Sequence, residues 1–133
     1  MFVDASAIIA IMDCERDADR LADALGRASA RVTSPVAIFE AVLGLRRKHR
    51  ASMDVANAAV GEFLALAQID IVPVTVAESR AALDAFARFG KGTGYPAQLN
   101  MGDCFAYAVA RIRSVPLLYK GNDFSRTDIE SGA

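Results

Sequence analysis

The chain has 133 residues, 53% of them hydrophobic and 23% charged, with a formal net charge of -1 and a pI near 5.8. That is ample for one well-filled core in a single domain over residues 1–133, and it argues against a protein that coats nucleic acid by bulk charge, so any such contact must be local. No apolar run approaches the ~20 residues of a membrane helix, and the apolar start carries Asp4 without the basic flank of a secretory signal; a soluble, cytoplasmic protein is expected.

In chain order, a first strand is predicted over Met1–Asp4, followed by helices over Ser6–Met12 and Asp17–Ala28. A second strand, Arg31–Ser34, leads to a helix over Pro35–Lys48, which Pro35 opens well because it has no N–H to lose. Next come a helix over Ser52–Ala67, a strand over Ile69–Val74 and a helix over Val76–Phe89, where Thr75 and Glu78 read as a capping box. The segment Phe89–Asn100, with Gly90, Gly92, Gly94 and Pro96, reads as a mobile loop, either a gate for substrate or only a surface connection. A helix over Gly102–Arg113 and a strand over Pro116–Tyr119 complete the series. Short buried strands alternating with helices imply crossover connections, and hence an α/β protein: a three-layer α/β/α sandwich with a short central parallel sheet. Cys14 and Cys104 stand in unlike contexts and suggest neither a disulfide framework nor a zinc site. Both are expected as small buried hydrophobes with free thiols, a single bridge remaining open. Phe63, Phe86, Phe89 and Phe105 follow helical spacing, as core or dimer-interface groups.

Four acidic residues break this apolar pattern. Asp4, Glu40 and Asp103 are each the only charge in the stretches Met1–Met12, Pro35–Leu45 and Leu99–Ala110, and Asp123 follows the short apolar run before the turn Lys120-Gly121-Asn122. An ionised carboxylate is costly in such surroundings unless it is paired or binds a cation. Asp4 and Asp123 follow the ends of parallel strands, where ligands gather in open α/β sheets. The helical neighbours of Glu40, which are Val36, Ala37, Leu43 and Gly44, offer it no solvent face, and that helix is expected to be packed against the sheet. Gly102 would let the start of the Asp103 helix approach a ligand. Four converging carboxylates repel one another, but around a cation they form a hard oxygen cage suited to Mg²⁺ or Mn²⁺ and to phosphodiester hydrolysis. Plainer readings stay open for each. Asp4 could cap its helix, Asp103 could sit in the field of its helix N-terminus, Glu40 could pair with Arg47, and Asp123 could belong to an ordinary turn.

Together, Val3-Asp4-Ala5-Ser6-Ala7, Phe39-Glu40-Ala41, Leu99-Asn100-Met101-Gly102-Asp103-Cys104-Phe105-Ala106-Tyr107-Ala108 and Gly121-Asn122-Asp123-Phe124 resemble the PIN-domain ribonucleases of the VapC toxin type, over essentially the whole chain. Carried over by matching position, the resemblance puts the acidic metal site on Asp4, Glu40, Asp103 and Asp123, with Ser6 and Asn122 as supporting polar groups. It implies an Mg²⁺- or Mn²⁺-dependent endoribonuclease that arrests translation as the toxin of a toxin–antitoxin pair, with transfer RNA as the family-level expectation for its substrate. It further implies a homodimer and a small VapB-type antitoxin whose C-terminal segment enters the acidic groove and whose other end binds operator DNA. RNA must approach despite the acids. Arg46, Arg47, Lys48 and Arg50 could supply a phosphate-contacting rim or simply solvate the end of their helix, and His49 reads as a surface residue.

Two other classes compete. A receiver-like phosphoacceptor domain would have an acidic pair after the first strand and a lysine at a late strand end, whereas Asp4 is alone and Lys120 only a partial match. A non-catalytic protein-binding module would leave the four embedded carboxylates unexplained.

Overall fold

The computed structural model describes residues 1–133. Four two-residue strands, β1 (Phe2–Val3), β2 (Val32–Thr33), β3 (Asp70–Ile71) and β4 (Leu117–Leu118), form one parallel sheet in the order β3-β2-β1-β4. Six helices flank it: α1 (Ala5–Met12), α2 (Ala18–Arg27), α3 (Pro35–His49), α4 (Met53–Leu66), α5 (Val76–Phe89) and α6 (Met101–Ile112). This is the expected three-layer α/β/α sandwich. The strands are shorter than predicted, most clearly Ile69–Val74, which contracts to the exposed edge pair Asp70–Ile71. Phe2 and Val3 lie in register with Leu117 and Leu118, and all four side chains are fully buried. Their apolar area, removed from water on both faces of the sheet, is what holds β4 against the central strand β1.

The open side of β4 is covered by the C-terminal segment: Leu117 N–H donates to Glu130 O at 2.9 Å and Gly132 N–H to Leu117 O at 2.8 Å. Nothing in the amino-acid pattern announced this pairing. Thr33, fully buried, donates its hydroxyl to Val3 O at 2.8 Å and so locks β2 beside β1. The next residue, Ser34, accepts from Ala37 N–H at 3.2 Å and caps α3. The start of the Glu40 helix is thereby fixed one residue beyond the sheet.

Three expectations change here. Helix α3 is not enclosed on all sides: it buries Ala37, Ala41, Val42 and Leu45, while Phe39 remains 62% exposed and Leu43 38%. An apolar run is not by itself a buried helix, because a helix packed on one side leaves its outer apolar residues in solvent. Cys104 is buried but Cys14 is exposed, and both are free thiols. The glycine-rich segment is also more tied than a free loop: Gly90 and Leu99 form a bridge, Lys91 N–H donates to Leu99 O at 2.9 Å, and Tyr95 packs edge-on against Phe89.

Candidate metal centre

Asp4 follows β1 directly, and its own N–H donates to Leu118 O at 3.0 Å. Its carboxylate is buried, with Oδ2 accepting from Ser6 N–H at 2.9 Å and from Ser6 Oγ at 2.5 Å. Asp4 is thus the cap of α1 and a wall of the site at once; the two readings of the sequence are one geometry. Burial pushes the Asp4 carboxyl above its ordinary value, the Ser6 hydrogen bonds draw it back, and the charge of Asp123 raises it further. Ser6 Oγ also accepts from Lys120 N–H at 3.0 Å, so this hydroxyl joins the end of β1 to the segment after β4.

Glu40 projects from the second turn of α3 toward the start of α6. A Cβ at Gly102 would overlap the Glu40 carboxylate, so glycine at this position makes room for the acid. Desolvation, then the charges of Asp4 and Asp103, push Glu40 up to about 7. No protein cation relieves it, and the expected alternative of a pair with Arg47 is not formed. Asp103 sits in a capping box: its N–H donates to Asn100 Oδ1 at 3.0 Å, and its Oδ2 accepts from Asn100 N–H at 2.9 Å. Burial raises Asp103 to about 6 against that backbone hydrogen bond, and the charges of Asp4 and Asp123 add to it. Asn100, a residue the sequence reading missed, lines the same cavity. Its signal was present as an Asn three residues before an acid at a helix start.

Asp123 stands exposed just before a short 3₁₀ turn, Phe124–Arg126, whose Phe124 is buried against Tyr119 at a ring separation of 5.0 Å. With Asp4, Glu40 and Asp103 it lines one cavity of about 430 Å³, together with Ser6, Asn100, Arg47 and an apolar wall of Ala5, Ile9, Leu43 and Gly44. The predicted convergence of the four acids is present. Asn122 does not join them: it is exposed, lies outside the cavity lining, and its backbone oxygen accepts from Ser125 Oγ at 2.6 Å. The basic cluster divides in the same way. Arg47 reaches the cavity rim and Arg46 does not, while Lys48 pairs with Asp13 at 2.6 Å and Glu15 at 2.5 Å, and His49 with Asp13 at 2.5 Å. The Lys120 ammonium is held by Glu15, so it is not the free lysine a receiver domain would use.

No three acidic, imidazole or thiol side chains are gathered tightly enough to enclose an ion as they stand. Four like charges left to themselves spread around a cavity, which is the arrangement observed. The donor set nevertheless suits a hard divalent cation. It is all oxygen, none of the four carboxylates is engaged by a protein cation, and burial and mutual repulsion raise Asp4, Glu40 and Asp103 in the direction a bound cation would reverse.

Comparison with known proteins gives a consistent picture. The PIN domain family model matches residues 1–130. Ribonuclease VapC28 of Mycobacterium tuberculosis is 43% identical over 130 residues, covering 98% of this chain and 96% of that protein. VapC ribonuclease R02377 of Rhizobium meliloti is 40% identical over 139 residues, covering 96% and 98%. Among solved structures, the sarcin-ricin loop cleaving toxin VapC20 of Mycobacterium tuberculosis superposes with a TM-score of 0.76 at 20% identity, covering 96% of this chain and 95% of that one. A toxin–antitoxin complex from Klebsiella pneumoniae superposes with a TM-score of 0.68 at 14% identity, covering 96% and 92%. The last two speak for the fold.

Proposed function

The chain belongs to the VapC ribonucleases of the PIN-domain family, and from that premise we propose that it is a metal-dependent endoribonuclease, the toxin of a toxin–antitoxin pair, working at the acid-lined cavity. The observation that carries this reading is the arrival of four carboxylates from four separate segments at one cavity beyond the strand ends. Asp4, Glu40, Asp103 and Asp123 would hold Mg²⁺ or Mn²⁺, directly or through water. Such a cation supplies a Lewis acid that makes water nucleophilic near neutral pH and offsets the charge gathering on the scissile phosphate.

The chain's own groups prepare that chemistry. Ser6 fixes one oxygen of Asp4 with two hydrogen bonds, so the carboxylate cannot rotate away from the cavity. Asn100 N–H does the same for Asp103 Oδ2, leaving Oδ1 free for a ligand. Glu40, which no protein donor holds, is the adjustable member, placed by the space that Gly102 leaves. Arg47 sets a permanent positive charge at the rim, where an RNA phosphate would otherwise meet only acids. The acids give the cavity no affinity of its own for a polyanion, so RNA affinity should reside in such cations and depend on salt. Changing Arg47 to alanine should weaken RNA binding and flatten its salt dependence; the same change at Arg46 should do less.

RNA, with transfer RNA as a candidate, is the substrate in this reading, a small VapB-type antitoxin the neutralising partner, a homodimer the assembly and the cytoplasm the setting. No helix is long and apolar enough to cross a membrane. The direct test is Asp4→Asn. Asparagine also caps a helix, so the variant should fold normally yet lose RNA cleavage and growth arrest on induced expression. Retained toxicity would remove the assignment of the site.

A further inference from the structure

Glu15 lies outside the acid-lined cavity, yet its two carboxylate oxygens reach both segments on which that cavity depends. Oε2 accepts from Lys120 Nζ, and Oε1 accepts from Lys48 Nζ at 2.5 Å. Lys120 opens the turn that carries Asp123, and Lys48 stands in the last turn of the helix that carries Glu40. The backbone of Glu15 is itself fixed. Cys14 turns into the left-handed conformation after α1, and Glu15 N–H donates to Ala10 O at 3.0 Å, closing the helix end. Lys120 is therefore anchored twice, through its N–H to Ser6 Oγ and through its ammonium to Glu15.

We propose that Glu15 is a positioning residue for the acidic cavity, clamping the Asp123 turn through Lys120 against the end of the Glu40 helix. The need for a clamp follows from charge. Asp123 is exposed, its side chain caps nothing, and the two acids it faces, Asp4 and Asp103, repel it. The turn preceding it contains Gly121 at φ +100°, a left-handed position with little stiffness of its own. Phe124 holds the far side of the turn in the core, so Lys120 is the near-side tether. Exposed ion pairs contribute little to global stability; the effect of this one is local, on where Asp123 stands.

The inference rests on the metal-site reading for its consequence but not for its test. Positioning and bulk electrostatics make opposite predictions for Lys120→Met. Losing a cation near the cavity should tighten Mn²⁺ binding if only charge matters, and loosen it if the tether matters. The clamp predicts that Glu15→Gln and Lys120→Met each weaken Mn²⁺ binding in calorimetric titration by about tenfold, the lower end of the effect of groups that support metal ligands. It also predicts that the double variant is no worse than either single one, since one contact has been removed. In the metal-free proteins, exchange of the Lys120 amide, whose N–H is bonded to Ser6 Oγ, should accelerate in both variants while the unfolding midpoint stays put. Unchanged exchange there, or Lys120→Met binding Mn²⁺ more tightly than wild type, overturns the clamp. If wild type itself binds no Mn²⁺, the metal-site reading falls, and the exchange measurement still decides the clamp.

Discussion

Among single residues, Gly102 and Asp4 separate what the site needs from what the fold needs. At Gly102 the atoms an added Cβ would strike belong to the far end of the Glu40 side chain, which can swing aside. Gly102→Ala should therefore fold, helped by the better helix propensity of alanine, about 1 kcal/mol at most. With Glu40 turned out of the cavity, Mn²⁺ affinity and RNA cleavage should fall by about 10- to 100-fold. Calorimetric titration alongside thermal unfolding checks both halves; a variant with wild-type metal affinity would show that Glu40 is not needed where it stands. At Asp4, burial disfavours the very charge that catalysis would use. Metal-free Asp4→Asn should consequently be at least as stable as wild type at pH 8, as a thermal melt of both proteins would show. A marked loss of stability would mean that Asp4 is primarily structural.

The helices show how boundaries could be read in advance both with and without a capping signal. Thr75 with Glu78 was visible as a capping box and is one, Thr75 N–H donating to Glu78 Oε2 at 2.8 Å. The C-termini gave no such cue. Helices α1, α4 and α6 end through Cys14, Gln68 and Ser114 at φ 50°, 53° and 53°, where glycine is usual. In each, the following N–H returns to the helix: Val115 to Ala110 O at 3.0 Å, Ile69 to Leu64 O at 2.9 Å. These residues carry no turn signature, yet the apolar spacing alone placed the three helix ends to within one residue, at Met12, Ala67 and Arg113 against the observed Met12, Leu66 and Ile112. Ser114→Gly should relieve the left-handed strain and raise stability by up to about 1 kcal/mol, measurable by denaturant unfolding; no change would mean that Ser114 is unstrained there. The short strands were legible as sites and not as lengths, since parallel pairing here ends wherever helices take over. Of the candidate site, the four acids and Ser6 were readable because isolated charge in apolar sequence is conspicuous. Asn100, Glu15 and the division between Arg46 and Arg47 were not, because they depend on which way side chains point across elements that are distant in sequence.

Across the whole molecule, the acids give stability a characteristic pH dependence. Glu40 at about 7 and Asp103 at about 6 stand above their ordinary values of 4.5 and 3.8. Between those limits the folded chain holds protons that the unfolded chain has released, so stability falls as pH rises through the window from about 4 to about 7. Asp13, Glu15 and Asp128 are instead held below their ordinary values, and their contribution is lost only as pH falls below the usual carboxylate range. The metal-free melting temperature should therefore decline between about pH 4.5 and pH 7, and Glu40→Gln should flatten that decline. Mn²⁺ should reverse it, stabilising more at pH 8 than at pH 5.5, because the ion binds the deprotonated acids of the folded chain. A stabilisation by Mn²⁺ that does not vary with pH would place the ion elsewhere.

The carboxylates that burden the metal-free fold would be the instruments of RNA cleavage, and mapping RNA 5′ ends after induced expression tests that role most directly. Wild type should generate discrete new 5′ ends that are absent when Asp103→Asn is expressed at the same level. The same new ends in both strains would contradict it.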